Sequence, residues 1–209
     1  MGAVSSRLRR LGRGMGRGMG LALLLSGGAA TVSSAADRAL PRSPASSQQT
    51  WSSQTWPAAR GLVDQTGAPL DASRFAGRLR LVYFGYTRCP DLCPTTLMTI
   101  TQALDDLPPA LLARLVPVLV AADPEYDGPA VLAGYLDTFH PAIVAVTGPV
   151  AVIDGLAAAV GATIRRHDGV VDHPTDLFLV GPAGNLLGRL PNAITPDALA
   201  AALRAALSP

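Results

Sequence analysis

The chain has 209 residues, 49 % of them hydrophobic and 15 % charged, with 17 basic side chains (all arginine) against 15 acidic ones. That composition supports one packed domain plus extra sequence and excludes a disordered chain. No apolar run reaches the roughly 18 residues of a membrane span, which excludes a polytopic membrane protein. The net charge of +2 comes from the first 35 residues, which hold Arg7, Arg9, Arg10, Arg13 and Arg17 and no acid, so the rest of the chain is mildly acidic. With aromatics at 5 % and no arginine–aromatic interleaving, neither charge nor stacking speaks for a nucleic-acid partner.

Residues 1–36 read as an export signal or a weak N-terminal membrane anchor. Arginines precede a modest apolar stretch, Gly20-Leu21-Ala22-Leu23-Leu24-Leu25, and small residues follow up to Ala35 and Ala36, as a cleavage site requires. Residues 37–55 have the Ser, Pro and Gln content of a linker. A domain is expected over 56–209. It begins with a β-hairpin across Gly61–Leu70, turning at Gly67. Leu79–Tyr86 and Leu115–Ala121 are almost continuously apolar, as strands buried on both faces are. Helices are predicted at Pro94–Leu107, Pro129–Phe139 and Val150–Val160, the last ended by Gly161. Ile143–Val146 is a third strand. Leu177–Val180 and Leu186–Leu190 form a second hairpin, and Pro196–Leu207 a closing helix with Thr195 as its N-cap. Such alternation implies an α/β fold, with a central sheet carrying parallel strands and helices on both faces.

The only two cysteines, Cys89 and Cys93, follow a buried strand and open a helix, the edge of an α/β sheet where sites form. Their spacing of four predicts sulfurs one helical turn apart on one face, and a helix N-terminus favours thiolate over thiol. Two such thiolates repel, and either oxidation or a soft metal ion relieves the repulsion. Three readings of the pair are open: a structural disulfide, a redox dithiol, and a thiolate metal site for Cu(I) or Zn that imidazole would complete.

Three histidines are available. His173 lies in the loop Val170–Asp176 leading into the strand Leu177–Val180, where sheet topology can bring it to the same edge, although taken alone it reads as a surface loop histidine. His140 is expected to interact with a helix end, and His167 to lie in a solvated turn. Met98 is read as a core methionine, Asp91 as a local cap, Asp123 and Asp127 as turn and cap residues, and Asp172 as a group that orients His173.

The segment Phe84-Gly85-Tyr86-Thr87-Arg88-Cys89-Pro90-Asp91-Leu92-Cys93-Pro94-Thr95-Thr96-Leu97 resembles the signature of the Sco/SenC family. Asp123-Pro124-Glu125-Tyr126-Asp127, Val146-Thr147-Gly148 and Asp172-His173 resemble further elements of that family, in the same order, from about Trp56 to the C-terminus. The resemblance implies a thioredoxin-like fold with a mixed sheet, exported to the periplasm and often tethered to the membrane through its N-terminus. It implies copper, as Cu(I) or Cu(II), held by Cys89, Cys93 and His173. The implied partner is the copper-bearing subunit of cytochrome c oxidase or another copper chaperone, and the implied role is a metallochaperone rather than a turnover enzyme. The alternative is a thiol–disulfide oxidoreductase using the Cys89–Cys93 pair. Three departures stand out: Tyr126 where the family has Arg, Pro174 where it has Ser or Thr, and a turn at Gly181-Pro182-Ala183-Gly184 without the usual acid.

Overall fold

Two segments apolar on both faces must sit in the middle of a sheet, and both do. The computed structural model describes residues 61–208; the leader at 1–36 and the linker at 37–55 lie outside them. Strand β1 is Val63–Asp64, β2 is Leu79–Gly85, β3 is Leu115–Ala121, β4 is Val144–Thr147, β5 is Arg165–His167, β6 is Val170–Asp172, β7 is Leu177–Val180 and β8 is Leu186–Leu190. Helix α1 is Leu92–Asp105, α2 is Pro109–Leu112, α3 is Pro129–Leu136, α4 is Val150–Ala159 and α5 is Pro196–Leu207. A six-stranded sheet runs in the order β1-β4-β3-β2-β7-β8. Strands β2, β3 and β4 are parallel, with Leu79 opposite Leu115 and Val118 opposite Val144, while β1, β7 and β8 join antiparallel. Every residue of β2 and β3 is buried.

Alternation along the strands sorts the core into two layers. Leu81, Tyr83, Leu119, Leu177 and Leu179 face Leu97, Ile100 and Leu104 of α1, Leu132 of α3, and Leu199 and Leu203 of α5. Val82, Phe84, Val118, Val120, Phe178 and Val180 face Phe75, the Ile153 and Leu156 of α4, and Val160 just beyond that helix. Helices therefore cover both faces, as expected. The start of α5 is capped by Thr195, whose hydroxyl accepts the Ala198 N–H at 3.3 Å. After α4 the chain reverses at Gly161, whose φ of +72° is open to glycine.

Several boundaries differ from expectation. Helix α1 starts at Leu92 and so takes in Cys93. The first hairpin forms as a turn, closed by Gly67 N–H to Asp64 O and Leu70 N–H to Leu62 O, but only two of its residues join the sheet. One more turn of helix, α2, follows Pro108. The β5–β6 hairpin was not expected at all. Its sequence, Arg165-Arg166-His167, carries no apolar alternation, and it pairs only with itself, outside the main sheet.

Phe178 is fully buried and meets Phe84 edge-on, with ring centroids 5.9 Å apart. Phe178→Ala should cost about 3–5 kcal/mol, read as a lower urea midpoint; a change below about 1 kcal/mol would mean that this layer of the core is not packed as described.

Candidate metal centre

The carboxyl end of β2 delivers the first cysteine. Gly85 ends the strand, and its carbonyl accepts the Ala122 N–H from the end of β3 at 2.7 Å. A turn follows in which the Cys89 N–H donates to Tyr86 O at 3.3 Å. Only a glycine fits at 85: a Cβ there would lie 2.9 Å from the Tyr83 ring and 3.4 Å from Cys93 Sγ. The missing side chain lets the second sulfur settle against the strand end.

The cysteines do not share a helical face, as their spacing had predicted. Cys93 lies in the first turn of α1 and is fully buried, whereas Cys89 precedes the helix and is half-buried. Asp91 occupies the N-cap position, yet its carboxylate makes no cap bond to the helix backbone and instead faces the Thr95 hydroxyl at 3.4 Å. Cys89 Sγ serves as an acceptor there, taking the Cys93 N–H at 3.4 Å. Both cysteines are free thiols.

Their chemistry diverges accordingly. Burial opposes charge on Cys89, but the N–H groups of Cys93, Asp91 and Leu92 outweigh it and hold the thiol below its ordinary range. Burial pushes the Cys93 thiol up to about 12, against the help of the Tyr83 hydroxyl. The expected pair of activated thiolates is therefore one reactive sulfur at the rim and one protonated sulfur beneath it.

His173 completes the cluster. Its Nε2 lies 3.7 Å from Cys93 Sγ, and its Nδ1 lies 3.0 Å from the Pro174 carbonyl. A carbonyl only accepts, so Nδ1 carries the proton and Nε2 presents its lone pair to Cys93. Burial lowers the pKa of the imidazole, which favours this neutral form. Tyr86 and Tyr83 fix the ring from the sides, both edge-on, at centroid distances of 5.6 and 6.3 Å. Asp172, expected to orient His173, is exposed and faces His167 Nδ1 at 3.9 Å; the Pro174 carbonyl holds the imidazole instead. Sulfur and neutral imidazole are the donors that a soft or borderline metal prefers. As placed, however, no group of three or more His, Cys, Asp or Glu residues among the described residues is gathered tightly enough to hold a metal ion.

A second set of residues holds the thiol loop, and sequence reasoning assigned it only turn and cap roles. Asp127 is fully buried, and its carboxylate accepts both the N–H and the hydroxyl of Thr87, at 3.1 and 2.5 Å. Asp123 pairs with Arg88, whose guanidinium also lies over the Tyr126 ring, 4.3 Å from its centroid. The signal was two carboxylates four residues apart, just past the carboxyl end of a buried strand. Burial raises the Asp127 carboxyl above its ordinary value despite the Thr87 bonds.

The remaining candidates lie elsewhere. His140 Nδ1 accepts the Ala142 N–H at 3.1 Å, and its Nε2 faces Asp105 at 3.7 Å. His167 is exposed on β5. Met98, expected in the core, is 41 % exposed, because it falls beside the Cys93, Leu97, Ile100 and Leu104 stripe of α1. Among the described residues no helix is long and apolar enough to cross a membrane.

The chain is similar to several known proteins. A family model described as SCO1/SenC matches residues 54–208. A Stutzerimonas stutzeri protein whose name refers to copper binding is 36 % identical over 143 residues, covering 66 % of this chain and 70 % of its own length. The human mitochondrial SCO1 homolog is 33 % identical over 133 residues, which is 60 % of this chain but only 44 % of the human one. The structure of Bradyrhizobium japonicum ScoI with copper bound superimposes with a TM-score of 0.59 at 28 % identity, over 70 % of this chain and 96 % of that one.

Two outcomes are expected from the site's electrostatics. At pH 7 iodoacetamide should alkylate Cys89 at least about tenfold faster than Cys93, as followed by peptide mass mapping; equal rates would contradict the asymmetry. For Asp127, a raised pKa means that the folded state binds the proton more tightly than the unfolded chain. Its stabilisation is full below the ordinary value of 3.8 and is lost as pH rises through the raised one. Asp127→Asn should therefore gain stability relative to the parent as pH rises from about 4 to about 7, in urea unfolding at each pH. Asp127→Ala, which strands the Thr87 N–H, should lose about 1–3 kcal/mol.

Proposed function

The chain belongs to the SCO1/SenC family, and from that premise we propose that it is a copper metallochaperone that helps assemble the dinuclear copper centre of cytochrome c oxidase. Cys89, Cys93 and His173 are the proposed ligands. The observation that carries the reading is the stacking of a half-buried sulfur, a buried sulfur and an imidazole whose free Nε2 faces the buried one. Two thiolates suit Cu(I), and the added imidazole gives a three-donor set that also accepts Cu(II). Copper is cargo here: it enters as a substrate and leaves to a partner, either the copper-bearing oxidase subunit or another copper chaperone. Binding costs Cys93 its proton, which an incoming metal ion would displace to solvent, leaving the Nε2 lone pair free to ligate. We further propose that the protein acts outside the cytoplasmic membrane, in the periplasm, with residues 1–36 as export signal or tether.

The thiol asymmetry favours a second reading, a thiol–disulfide oxidoreductase. In that role the Cys89 thiolate attacks a partner's disulfide, forming a mixed disulfide and releasing one partner thiolate. Cys93, once deprotonated, then attacks Cys89 Sγ, which frees the second partner thiolate and leaves a Cys89–Cys93 disulfide. The partner gains two electrons and this chain loses them. Such exchange needs no imidazole ligand, so His173 separates the two readings.

The reduced protein should bind one Cu(I) in anaerobic competition with a chelator. Cys89→Ser should abolish that binding, and His173→Ala should weaken Cu(I) and reduce Cu(II) affinity by at least about tenfold. Absence of competitive binding, with the dithiol still readily oxidised and reduced, would overturn the copper reading and leave the oxidoreductase.

A further inference from the structure

His173 is the one residue of the cluster that the main sheet does not deliver from its upstream side. The residue before it, Asp172, ends β6, and among the described residues β6 pairs only with β5. The imidazole is thus carried on one side by a two-stranded arm outside the main sheet. What fixes the arm to the body also fixes the height of the imidazole over the thiols.

The register of the arm identifies that anchor. Arg165 pairs with Asp172, Arg166 with Val171, and His167 with Val170. Cross-strand partners share a face, and the burial follows: Arg165, Asp172, His167 and Val170 are exposed, while Val171 is buried and Arg166 half-buried. Val171 and Ile164 enter the same apolar layer as α4. Arg166 supplies the directional bonds. Its Nε donates to the Ala122 carbonyl at 2.7 Å, and its Nη1 donates to Asp154 of α4 at 2.9 Å. The same Ala122 residue donates its N–H to Gly85 O, the strand end from which the thiol loop departs. One residue therefore bonds the thiol side through its N–H and the imidazole arm through its carbonyl.

We propose that Arg166 is a positioning residue for His173, holding the β5–β6 arm to the Ala122 carbonyl so that the imidazole meets Cys93. The bond to Ala122 sets the position, and the pair with Asp154 supports the arginine without setting it. Nothing in the sequence points to this role, since an Arg-Arg-His run reads as solvated surface. Its consequence for metal rests on the copper reading above. Cu(II) needs the imidazole, whereas Cu(I) can rest on the two thiolates alone, so loss of the anchor should fall mainly on Cu(II).

Arg166→Gln and Arg166→Met separate the bond from the bulk. Gln places an N–H donor at the same distance along the side chain as Arg Nε, and Met keeps the length without a donor. The first measurement needs no metal: diethyl pyrocarbonate modification of His173 in the full chain, followed by peptide mass mapping with His140 as internal reference. Arg166→Met should modify His173 about threefold faster or more, Arg166→Gln at close to the parent rate, and Asp154→Asn at the parent rate. In copper titrations of the same proteins, Arg166→Met should lose about tenfold in Cu(II) affinity and stay within about twofold for Cu(I). Added imidazole should restore its Cu(II) absorption spectrum. A His173 rate unchanged in Arg166→Met, or raised as far in Arg166→Gln or Asp154→Asn, would overturn the proposal, and the two latter variants decide even if Met fails to fold. Because the modification rates involve no copper, a parent protein that binds none would refute the copper reading alone and leave the test of Arg166 standing.

Discussion

A thiol buried below the surface can be reached by a second donor only if the fold carries that donor in beside it, and the contact between Cys93 Sγ and His173 Nε2 at 3.7 Å is where the fold does so. Much else in the molecule serves that contact. Gly85 gives up its side chain so that the sulfur can lie against the end of β2. Tyr83 and Tyr86 flank the imidazole in T-shaped contacts. The Pro174 carbonyl claims Nδ1 and leaves Nε2 bare. Each element acts at the carboxyl end of the central strands, where a parallel sheet leaves loops free to converge.

The rim of the site obeys a different constraint. Cys89 stays reactive because backbone N–H groups at the start of α1 face its sulfur, which requires the loop before the helix to be held still. Asp127 does so from beneath, at the energetic disadvantage of a buried carboxylate that two Thr87 bonds only partly offset. Asp123 and Tyr126 hold Arg88 from the side. Tyr126 provides the ring over which the Arg88 guanidinium lies. Charge and ring are then matched within the chain itself, with Arg88 between a carboxylate and a π-face.

The fold was legible because its signals are local and strong. Runs such as Leu79–Tyr86 and Leu115–Ala121 have one stable place in an α/β sheet, and Thr195-Pro196 marks a helix start. The thiols and His173 were legible through motif, order and residue type. What escaped notice depends on through-space partners. The Arg165–His167 strand has no apolar rhythm, because a single half-buried arginine and its cross-strand valine hold it. Asp127 reads as a turn residue until the fold brings it against Thr87, forty positions earlier in the chain. The asymmetry of the cysteines was also invisible, since spacing gives the distance along a helix and Cys89 is not in one. Met98 was misplaced because soft side chains suit core and surface alike, and only the phase of α1 decides between them.

Pro174 joins these two levels of description. A residue preceding proline is steered away from helical backbone into extended conformations, so Pro174 narrows the choices of His173 itself. Its own carbonyl then receives the Nδ1 proton of the same imidazole. The β5–β6 arm limits the loop from one side and β7 limits it from the other, beginning at Leu177. Between them His173 has little backbone freedom left. Ordering costs about 1–2 kcal/mol per residue fixed, and at His173 that cost is met on folding. A proline at this position therefore need not hinder the site; it fixes in advance the orientation of the ring and the nitrogen that faces the sulfur.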